Sequence, residues 1–174
     1  MFKLSDKVVD KKGHVFYIHE VVKKDFGKGL TDYFVLYPCF KEDFNNGFTS
    51  FVPASNADNL LKPIMNKQDA LKLIDSLAEI EGYGDIPPKN RKNFFDQVLV
   101  NSDEYKMCRI IKSLYEYRQQ KALLKKTLSE YESRLLDTLS KIVMEELSIS
   151  LDIELEKVPE FVENKLSFPF FYYW

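Results

Sequence analysis

The first sixty residues alternate short runs of apolar residues with turn residues. The runs are rich in β-branched and aromatic side chains and lie at 8–9, 15–18, 21–22, 33–37 and 48–52. Glycine, asparagine and aspartate separate them, and Pro53 ends the last, because proline cannot donate a hydrogen bond to a sheet. Several short strands at this spacing predict a small, strongly bent β-sheet or barrel. Unless it is closed or covered, such a sheet exposes backbone groups at its edges.

From Asn66 onward the spacing of apolar residues becomes helical. Asn66 is a favourable N-cap, and Asp69 lies in the first turn, where a carboxylate favours the helix dipole. An apolar stripe follows at positions 71, 74, 77 and 80. The segment GYGDIPP, at 82–88, then predicts a break between helices and a mobile loop.

Four further helices are predicted after this break. A short one carries apolar residues at 94, 95, 98 and 99. Asn101 with Glu104 resembles a capping arrangement for the next, which extends to about Ala122. Ser129 with Glu132 matches a capping box for a long amphipathic helix. A shorter helix occupies part of 152–165, with Pro159 at an end or a kink.

The predicted fold class is therefore α+β, with two domains. Residues 1–60 form a small β-sheet or barrel, and residues 61–174 form an all-helical domain of about five helices with an aromatic C-terminal tail. The boundary is predicted near Ser55 to Pro63, where the period of the pattern changes.

Charge is distributed unevenly along a chain whose composition is that of a folded protein. Hydrophobic residues make up 45% and charged residues 30%, and the formal net charge is −2. Residues 88–141 contain 12 basic and 7 acidic residues, whereas 142–174 contain 2 and 7. The basic segment can favour a phosphate backbone, and it can equally be an ordinary solvated helix face.

Cysteine usage and hydropathy predict a cytoplasmic location. The two cysteines, Cys39 and Cys108, show no disulfide-framework spacing, which favours a reducing compartment. The N-terminal residues are charged from the third position and lack the apolar core of a signal peptide. The apolar runs are shorter than the roughly 20 residues that span a bilayer, so we expect no membrane association.

No arrangement of residues typical of catalysis is apparent. His14 and His19 are the two histidines, and no cysteine lies near them to complete a metal site. The sequence contains no nucleophile elbow, P-loop or dinucleotide fingerprint. We therefore expect a binding protein, not an enzyme, with no metal and no cofactor.

Four segments fall in an order that resembles the CarD family of bacterial transcription regulators. They are MFKLSDKVV, YFVLY, FVPASNADN and LSEYESRLLDTLSKIVMEELS, and together they extend over roughly residues 1–150. The resemblance implies that residues 1–60 form a small Tudor- or SH3-like β-barrel, a module shared with transcription-repair coupling factors. In the family this module binds the RNA polymerase β subunit through a strand edge. It also implies a helical domain that contacts promoter DNA at the upstream edge of the transcription bubble and favours the open complex.

The resemblance also suggests which residues contact the polymerase. Lys24 falls where family members carry a basic contact residue, and Phe51 falls where some carry a second one. The predicted polymerase-binding set is Lys24, Phe51, Val22 and Phe26. An aromatic side chain on an edge strand can anchor an interface, but Phe51 can instead belong to the core, and Lys24 can be a solvated hairpin charge.

On the DNA side the chain departs from the family. The family's wedge tryptophan corresponds to a position near Pro88, where this chain has no aromatic residue, and Thr138 and Ser140 replace basic positions. The basic residues that remain as a predicted DNA-binding set are Lys89, Arg91, Lys92, Lys121, Lys125, Lys126 and Lys141. We expect weak, non-specific, salt-sensitive contact.

Two further alternatives stay open. Six aromatic residues lie between Phe168 and Trp174, and this tail can pack on the helical domain, join two copies of the chain into a homo-oligomer, or stack on an exposed base. The β module can also serve a protein-interaction adaptor that never touches DNA. The altered start of the second helix and the acidic C-terminal region favour the adaptor.

Overall fold

The computed structural model describes residues 2–27, 29–40, 49–100 and 103–171. The chain divides into two compact units, one ending at Met65 and the other beginning at Asn66. The division falls slightly after the predicted boundary, because residues 61–63 form a strand that pairs within the first unit.

The first unit contains a five-stranded antiparallel sheet. Its strands are β1 (Lys7–Asp10), β2 (Val15–Lys24), β3 (Thr31–Pro38), β4 (Ser50–Pro53) and β5 (Leu61–Pro63). They lie in the order β4-β3-β2-β1-β5, so consecutive strands are neighbours except for β5, which pairs with β1. A 3-10 turn (Ala54–Asn56) and a one-turn helix, α1 (Ala57–Leu60), connect β4 to β5.

The described strands form an open sheet, so of the predicted sheet or barrel the structure shows the sheet and no closed barrel. Within the described residues, β4 and β5 form the two edges and do not pair with each other. Strand spacing predicted a strand-rich unit, but the separate runs 15–18 and 21–22 form the single strand β2, and β5 was not predicted. Strand spacing also does not predict closure, which needs long, tilted, staggered strands. These edge strands have only four and three residues. The predicted turn at residues 45–47 and the start of the last apolar run lie outside the described residues.

The two faces of this sheet differ because side chains alternate along each strand. The core face buries Val8, Phe16, Ile18, Phe34, Leu36 and Val52, with Ala57 and Leu61 beside them. The register between β2 and β3 shifts between Ile18 and Glu20, which is a β-bulge at His19. After the bulge, Val22 and Lys24 therefore lie on the face opposite the core.

The described part of the second unit contains five α-helices. They are α2 (Lys67–Ser76), α3 (Pro88–Leu99), α4 (Glu104–Leu123), α5 (Glu130–Leu151) and α6 (Val158–Leu166). Together with the sheet, they confirm the α+β class. Among the described residues, no helix is both long enough and apolar enough to cross a membrane.

The helix caps follow the sequence in two cases out of three. Asn66 accepts a hydrogen bond from the Asp69 backbone N–H at 2.9 Å, and Ser129 and Glu132 form the predicted capping box. The predicted cap at Asn101 is wrong, because the side chain of Asp103 caps α4. Asn101 itself lies outside the described residues. Asp103 accepts from a free N–H group at the start of α4, and aspartate and asparagine are similarly favourable N-caps, so residue type alone did not indicate which of the two caps the helix.

The apolar stripes of the helices form the core of the second unit. Its largest fully buried apolar side chains include Phe95, Ile110, Leu114, Tyr117, Leu136 and Leu147. Near the chain end, Phe170 and Phe171 are buried in edge-to-face contact, with ring centroids 5.1 Å apart. The remaining tail residues, 172–174, lie outside the described residues.

Candidate interaction surfaces

An aromatic surface with one lysine lies on the face of the sheet opposite the core. Phe26 packs edge-to-face on Tyr33 and on Phe51, with centroid separations of 5.0 and 5.8 Å. The Lys24 ammonium lies 4.3 Å from the centroid of the Phe51 ring. We call these four residues the Lys24 surface. Three predicted polymerase-binding residues therefore form one contiguous group.

The Lys24 surface is open to solvent. Phe26 is 56% exposed and Phe51 is 38% exposed, whereas Tyr33 beneath them is largely covered. Val22, the fourth predicted residue, pairs with Tyr33 on the same face and is partly buried. Phe26 and Phe51 therefore form a contiguous exposed apolar patch, and such patches mark binding sites more often than scattered apolar residues do.

Phe51 belongs to an edge strand. β4 pairs with β3 through Tyr33↔Pro53 and Val35↔Phe51, and no other described strand pairs with it. One backbone margin of β4 therefore lacks a strand partner within the described residues. An exposed edge beside aromatic side chains is the geometry that strand addition requires.

Arg91, predicted to contact DNA, instead lies inside the helical unit. It is 5% exposed, and its Nη1 donates to Glu132 Oε1 at 2.8 Å. Its Nε donates to the Ile86 carbonyl at 2.7 Å, and the guanidinium lies 3.6 Å from the centroid of the Tyr117 ring. A guanidinium enclosed in this way has no surface left for a phosphate, so Arg91 leaves the DNA-binding set.

Glu132 is the acceptor at the centre of this buried network. Its Oε2 accepts from the Ser129 backbone N–H at 2.8 Å and from Lys121 Nζ at 3.1 Å. Burial raises the pKa of Glu132, but hydrogen bonds from Arg91, Ser129 and Lys121 outweigh it and lower the pKa from 4.5 to about 2. The carboxylate therefore stays charged inside the protein.

The GYGDIPP segment is held in place by α4, contrary to the predicted mobility. The Tyr117 hydroxyl donates to the Gly84 carbonyl at 2.5 Å, and the Tyr83 N–H donates to Ser113 Oγ at 2.7 Å. Gly82 approaches α4 so closely that a Cβ there would lie 3.1 Å from Ser113 Cα. The sequence reveals the break in the helix, but these contacts come from residues about thirty positions away.

Three other predicted DNA-binding residues form ion pairs. Lys92 pairs with Asp96 at 2.6 Å, Lys121 pairs with the buried Glu132, and Lys141 lies 3.6 Å from Glu145. Lys89, Lys125 and Lys126 are exposed and form no ion pair with any described residue. The structure does not gather the predicted set into one patch of free charge.

Sequence reasoning did not connect Tyr33 with Lys24, Phe26 and Phe51, because it treated the run YFVLY as one apolar strand without dividing it into two faces. The signal that could have found it is the pairing register, which places every second residue of β3 on the outer face. Among the described residues, no group of three or more potential metal ligands is present.

Comparison of the sequence with protein-family models finds no matching family. Comparison with curated proteins finds no significant match.

Proposed function

We propose that this chain is a CarD-like regulator whose sheet unit docks on the RNA polymerase β subunit. The proposal combines the ordered sequence resemblance with one observation that carries it: an edge strand, β4, whose exposed Phe51 lies under the Lys24 ammonium. The Tudor-like character of the sheet unit and the cytoplasmic location belong to the same proposal.

The physical mechanism is addition of a polymerase strand to the β4 edge. Backbone hydrogen bonds supply affinity that does not depend on the partner's sequence, and side chains at alternate positions supply selectivity. Phe26 and Phe51 offer apolar area for an anchor, and Lys24 offers a charge for an acidic group of the partner. Because these groups are already clustered, docking orders few additional side chains.

The helical unit then contacts promoter DNA weakly and without reading its sequence. Lys89, Lys125 and Lys126 are the predicted contacts that remain exposed and without an ion pair, and a few phosphate contacts give weak, salt-dependent binding. Such contact changes the open complex only if the unit binds melted DNA better than closed duplex, since only differential affinity shifts an equilibrium.

A second candidate is an adaptor that uses the sheet unit and never touches DNA. The burial of Arg91 and the ion pairs of Lys92, Lys121 and Lys141 favour it, because they leave little free positive charge. Footprinting of a polymerase–promoter complex with and without the protein separates the two. Altered protection at the upstream bubble edge supports the regulator, and unchanged protection with the protein still bound supports the adaptor.

Co-purification with the polymerase tests docking, and the neighbouring lysine provides a matched control. Lys24→Glu reverses a charge on the aromatic face of the sheet. Lys23→Glu makes the same change on the opposite face of β2, where Lys23 lies across from Asp32 in the β2–β3 register. We expect Lys24→Glu to weaken binding about tenfold or more and Lys23→Glu to leave it nearly unchanged. Both variants should retain the circular dichroism spectrum of the wild type.

Two results would contradict this proposal at different levels. Equal binding by a folded Lys24→Glu variant and the wild type would place the docking surface elsewhere on the protein. Failure of the wild type to retain the polymerase β subunit would remove the polymerase from the proposal altogether.

A further inference from the structure

Two leucines protrude from the turn between α4 and α5. Leu123 is 87% exposed and Leu124 is 68% exposed. A backbone hydrogen bond from the Lys125 N–H to Ala122 O, at 2.9 Å, closes the turn, so the leucine side chains are not needed for it. Both leucines leave apolar area in water that burial against another surface would stabilise.

The charge around these leucines is positive. Residues 117–129 contain four basic residues and no acidic one. Of these four, Lys125 and Lys126 are exposed and form no ion pair with any described residue. We call Leu123, Leu124, Lys125 and Lys126 the α4–α5 tip. A surface that fits the tip must carry acidic groups beside an apolar side chain.

An exposed face of α6 carries those groups. Phe161 is 36% exposed, and the neighbouring Glu160 and Glu163 are exposed and form no ion pair within the described part of the chain. We call these three residues the α6 face. Val158 and Val162 are buried on the opposite side of α6 and attach it to the helical unit. The α6 face therefore presents two carboxylates beside an aromatic ring on a packed helix.

The lysines near Phe161 do not cancel the negative charge of the α6 face. Lys157 and Lys165 lie about one turn before and after Phe161, and both are already paired. Lys157 pairs with Glu154 at 2.7 Å, and Lys165 pairs with Asp75 at 2.8 Å. Residues 152–163 contain five acidic residues and one basic residue. The α6 face is therefore as clearly acidic as the α4–α5 tip is basic.

The length of α5 keeps these two surfaces apart within one molecule. The tip lies just before α5, which has 22 residues and is about 33 Å long. α6 follows α5 in the chain, and with 9 residues it is about 14 Å long, too short to run back to the tip. One copy of the chain therefore carries two complementary surfaces that it cannot join to each other.

We propose that the α4–α5 tip of one copy binds the α6 face of a second copy. The two leucines pack on Phe161, and the two lysines pair with Glu160 and Glu163. Because the contact joins two different surfaces, each pair of copies leaves one tip and one α6 face free. Further copies then add head to tail, until a ring closes or a chain of copies grows.

The charge of the α6 face favours a second copy over other partners of the tip. A polyanion such as DNA, or an anionic membrane, could pair with the lysines, but it would be repelled by the acidic α6 face of the same unit. A second copy satisfies both surfaces. Phe170 and Phe171 are buried, so the described end of the aromatic tail does not offer a competing surface for self-association.

The small size of the two surfaces predicts a weak contact. Three apolar side chains and four charges bury much less than the roughly 800 Å² per partner of a stable interface. Charge pairing at such an exposed contact is also screened by salt, with a Debye length of about 10 Å at 0.1 M. Self-association should therefore depend on both protein and salt concentration.

Sedimentation equilibrium of the full chain measures this association. At about 50 mM salt, we expect the weight-average mass to rise with concentration above the 20.5 kDa of one chain. It should be about doubled at roughly 0.1 mM protein, which corresponds to a Kd on the order of 0.1 mM for each contact. At about 500 mM salt, the mass should return towards that of one chain.

Reversing the charge of either surface should abolish the association. Lys125→Glu/Lys126→Glu makes the tip acidic, and Glu160→Lys/Glu163→Lys makes the α6 face basic. In each protein the tip and the α6 face then carry the same sign, so each alone should sediment as one chain. Both should retain the circular dichroism spectrum of the wild type.

Mixing the two charge-reversed proteins tests the pairing directly. In the mixture, the acidic tip of one protein meets the basic α6 face of the other, and their unaltered surfaces also remain complementary. The mixture should regain the mass of the wild type, and so should one chain that carries all four substitutions. If the wild type associates but neither of these does, the two surfaces are not each other's partners.

Two further variants serve as controls for charge and for apolar contact. Lys11→Glu/Lys12→Glu reverses two adjacent exposed lysines in the turn between β1 and β2, so it matches the change at the tip but lies in the sheet unit. It should associate like the wild type. Leu123→Ser/Leu124→Ser keeps every charge and should lose most of the association at low salt, because the apolar part of the contact is gone.

The measurement uses the purified chain alone, so its result is independent of polymerase docking. A wild type that sediments as one chain at every concentration would overturn self-association even if polymerase co-purifies. In that case, a changed promoter footprint in the tip variants would assign the tip to DNA. Leucine-dependent sedimentation with phosphatidylserine vesicles would instead assign it to a membrane surface.

Discussion

The two units each place a cation over an aromatic ring, in opposite environments. In the sheet unit, the Lys24 ammonium lies 4.3 Å from the Phe51 centroid at an exposed edge. In the helical unit, the Arg91 guanidinium lies 3.6 Å from the Tyr117 centroid and is enclosed by protein. The exposed cation–π contact of Lys24 leaves both groups available to a partner, whereas the buried contact of Arg91 is part of the packing of the helical unit.

The choice of cation matches the environment in each case. Arginine carries five donors in a planar fork, so Arg91 can bind a carboxylate and a carbonyl while its face covers a ring. Lysine is a compact, strongly hydrated charge on a flexible stem, which suits a contact that water still reaches. The position of a basic residue in the sequence therefore does not show whether it contacts a partner or stabilises the fold.

The largest expected effect is on the buried contact. Arg91→Met leaves the Glu132 carboxylate buried without its main partner, and we expect it to lower the free energy of unfolding by about 3–5 kcal/mol. Urea unfolding followed by circular dichroism measures the loss. The double variant Arg91→Met/Glu132→Gln should recover part of it, since it removes the stranded charge. Additive effects of the two substitutions would show that this pair is not coupled.

Acid provides the next test of the buried network. The pKa of Glu132 is lowered in the folded protein, from 4.5 to about 2. Its contribution to stability is therefore present above about pH 4.5 and is lost as the pH falls towards 2. A shift of this size corresponds to about 3 kcal/mol.

The isosteric variant Glu132→Gln isolates this contribution from those of other carboxylates. Urea unfolding of both proteins between pH 6.5 and pH 2.5 should show a steeper loss of stability in the wild type. Parallel curves for the two proteins would mean that Glu132 has an ordinary pKa in the folded state.

The smallest expected effect on stability is at the exposed contact. Lys24→Met removes the ammonium over Phe51 but keeps a long apolar stem, so we expect a loss of no more than about 1 kcal/mol. Thermal unfolding measures this loss, and polymerase co-purification should fall in the same variant. A loss comparable to that of Arg91→Met would show that Lys24 supports the fold, and the contrast between the two contacts would fail.

The sequence predicted those features that depend on neighbouring residues. The capping box at Ser129 and the N-cap at Asn66 each involve atoms three positions apart, so their partners lie within the same turn. The change of apolar spacing after residue 60 also separated strands from helices, because side-chain period depends only on neighbouring residues. The clustering of Lys24, Phe26 and Phe51 was only partly predicted, because Tyr33, on which Phe26 packs, was not among the predicted contact residues.

Predictions failed where the outcome depends on distant parts of the chain. Arg91 lies on a helix in a basic segment, and nothing nearby in the sequence indicates that Glu132, forty-one positions later, pairs with it. The GYGDIPP segment has the composition of a mobile loop, yet Ser113 and Tyr117 hold it in place. Partners far away in the sequence bury the charge of Arg91 and fix the GYGDIPP segment, and the residues next to either in the sequence do not indicate this.

The amino-acid sequence by itself determined that a strand-rich segment precedes a helical one, the caps at Asn66 and Ser129, and the α+β class, because these depend on side-chain period and on contacts within a few residues. The tertiary structure decided whether the sheet closed, which lysines remained free, and where Arg91 lies. Those outcomes depend on which distant groups meet, and a buried ion pair forms only where folding brings both charges out of water together.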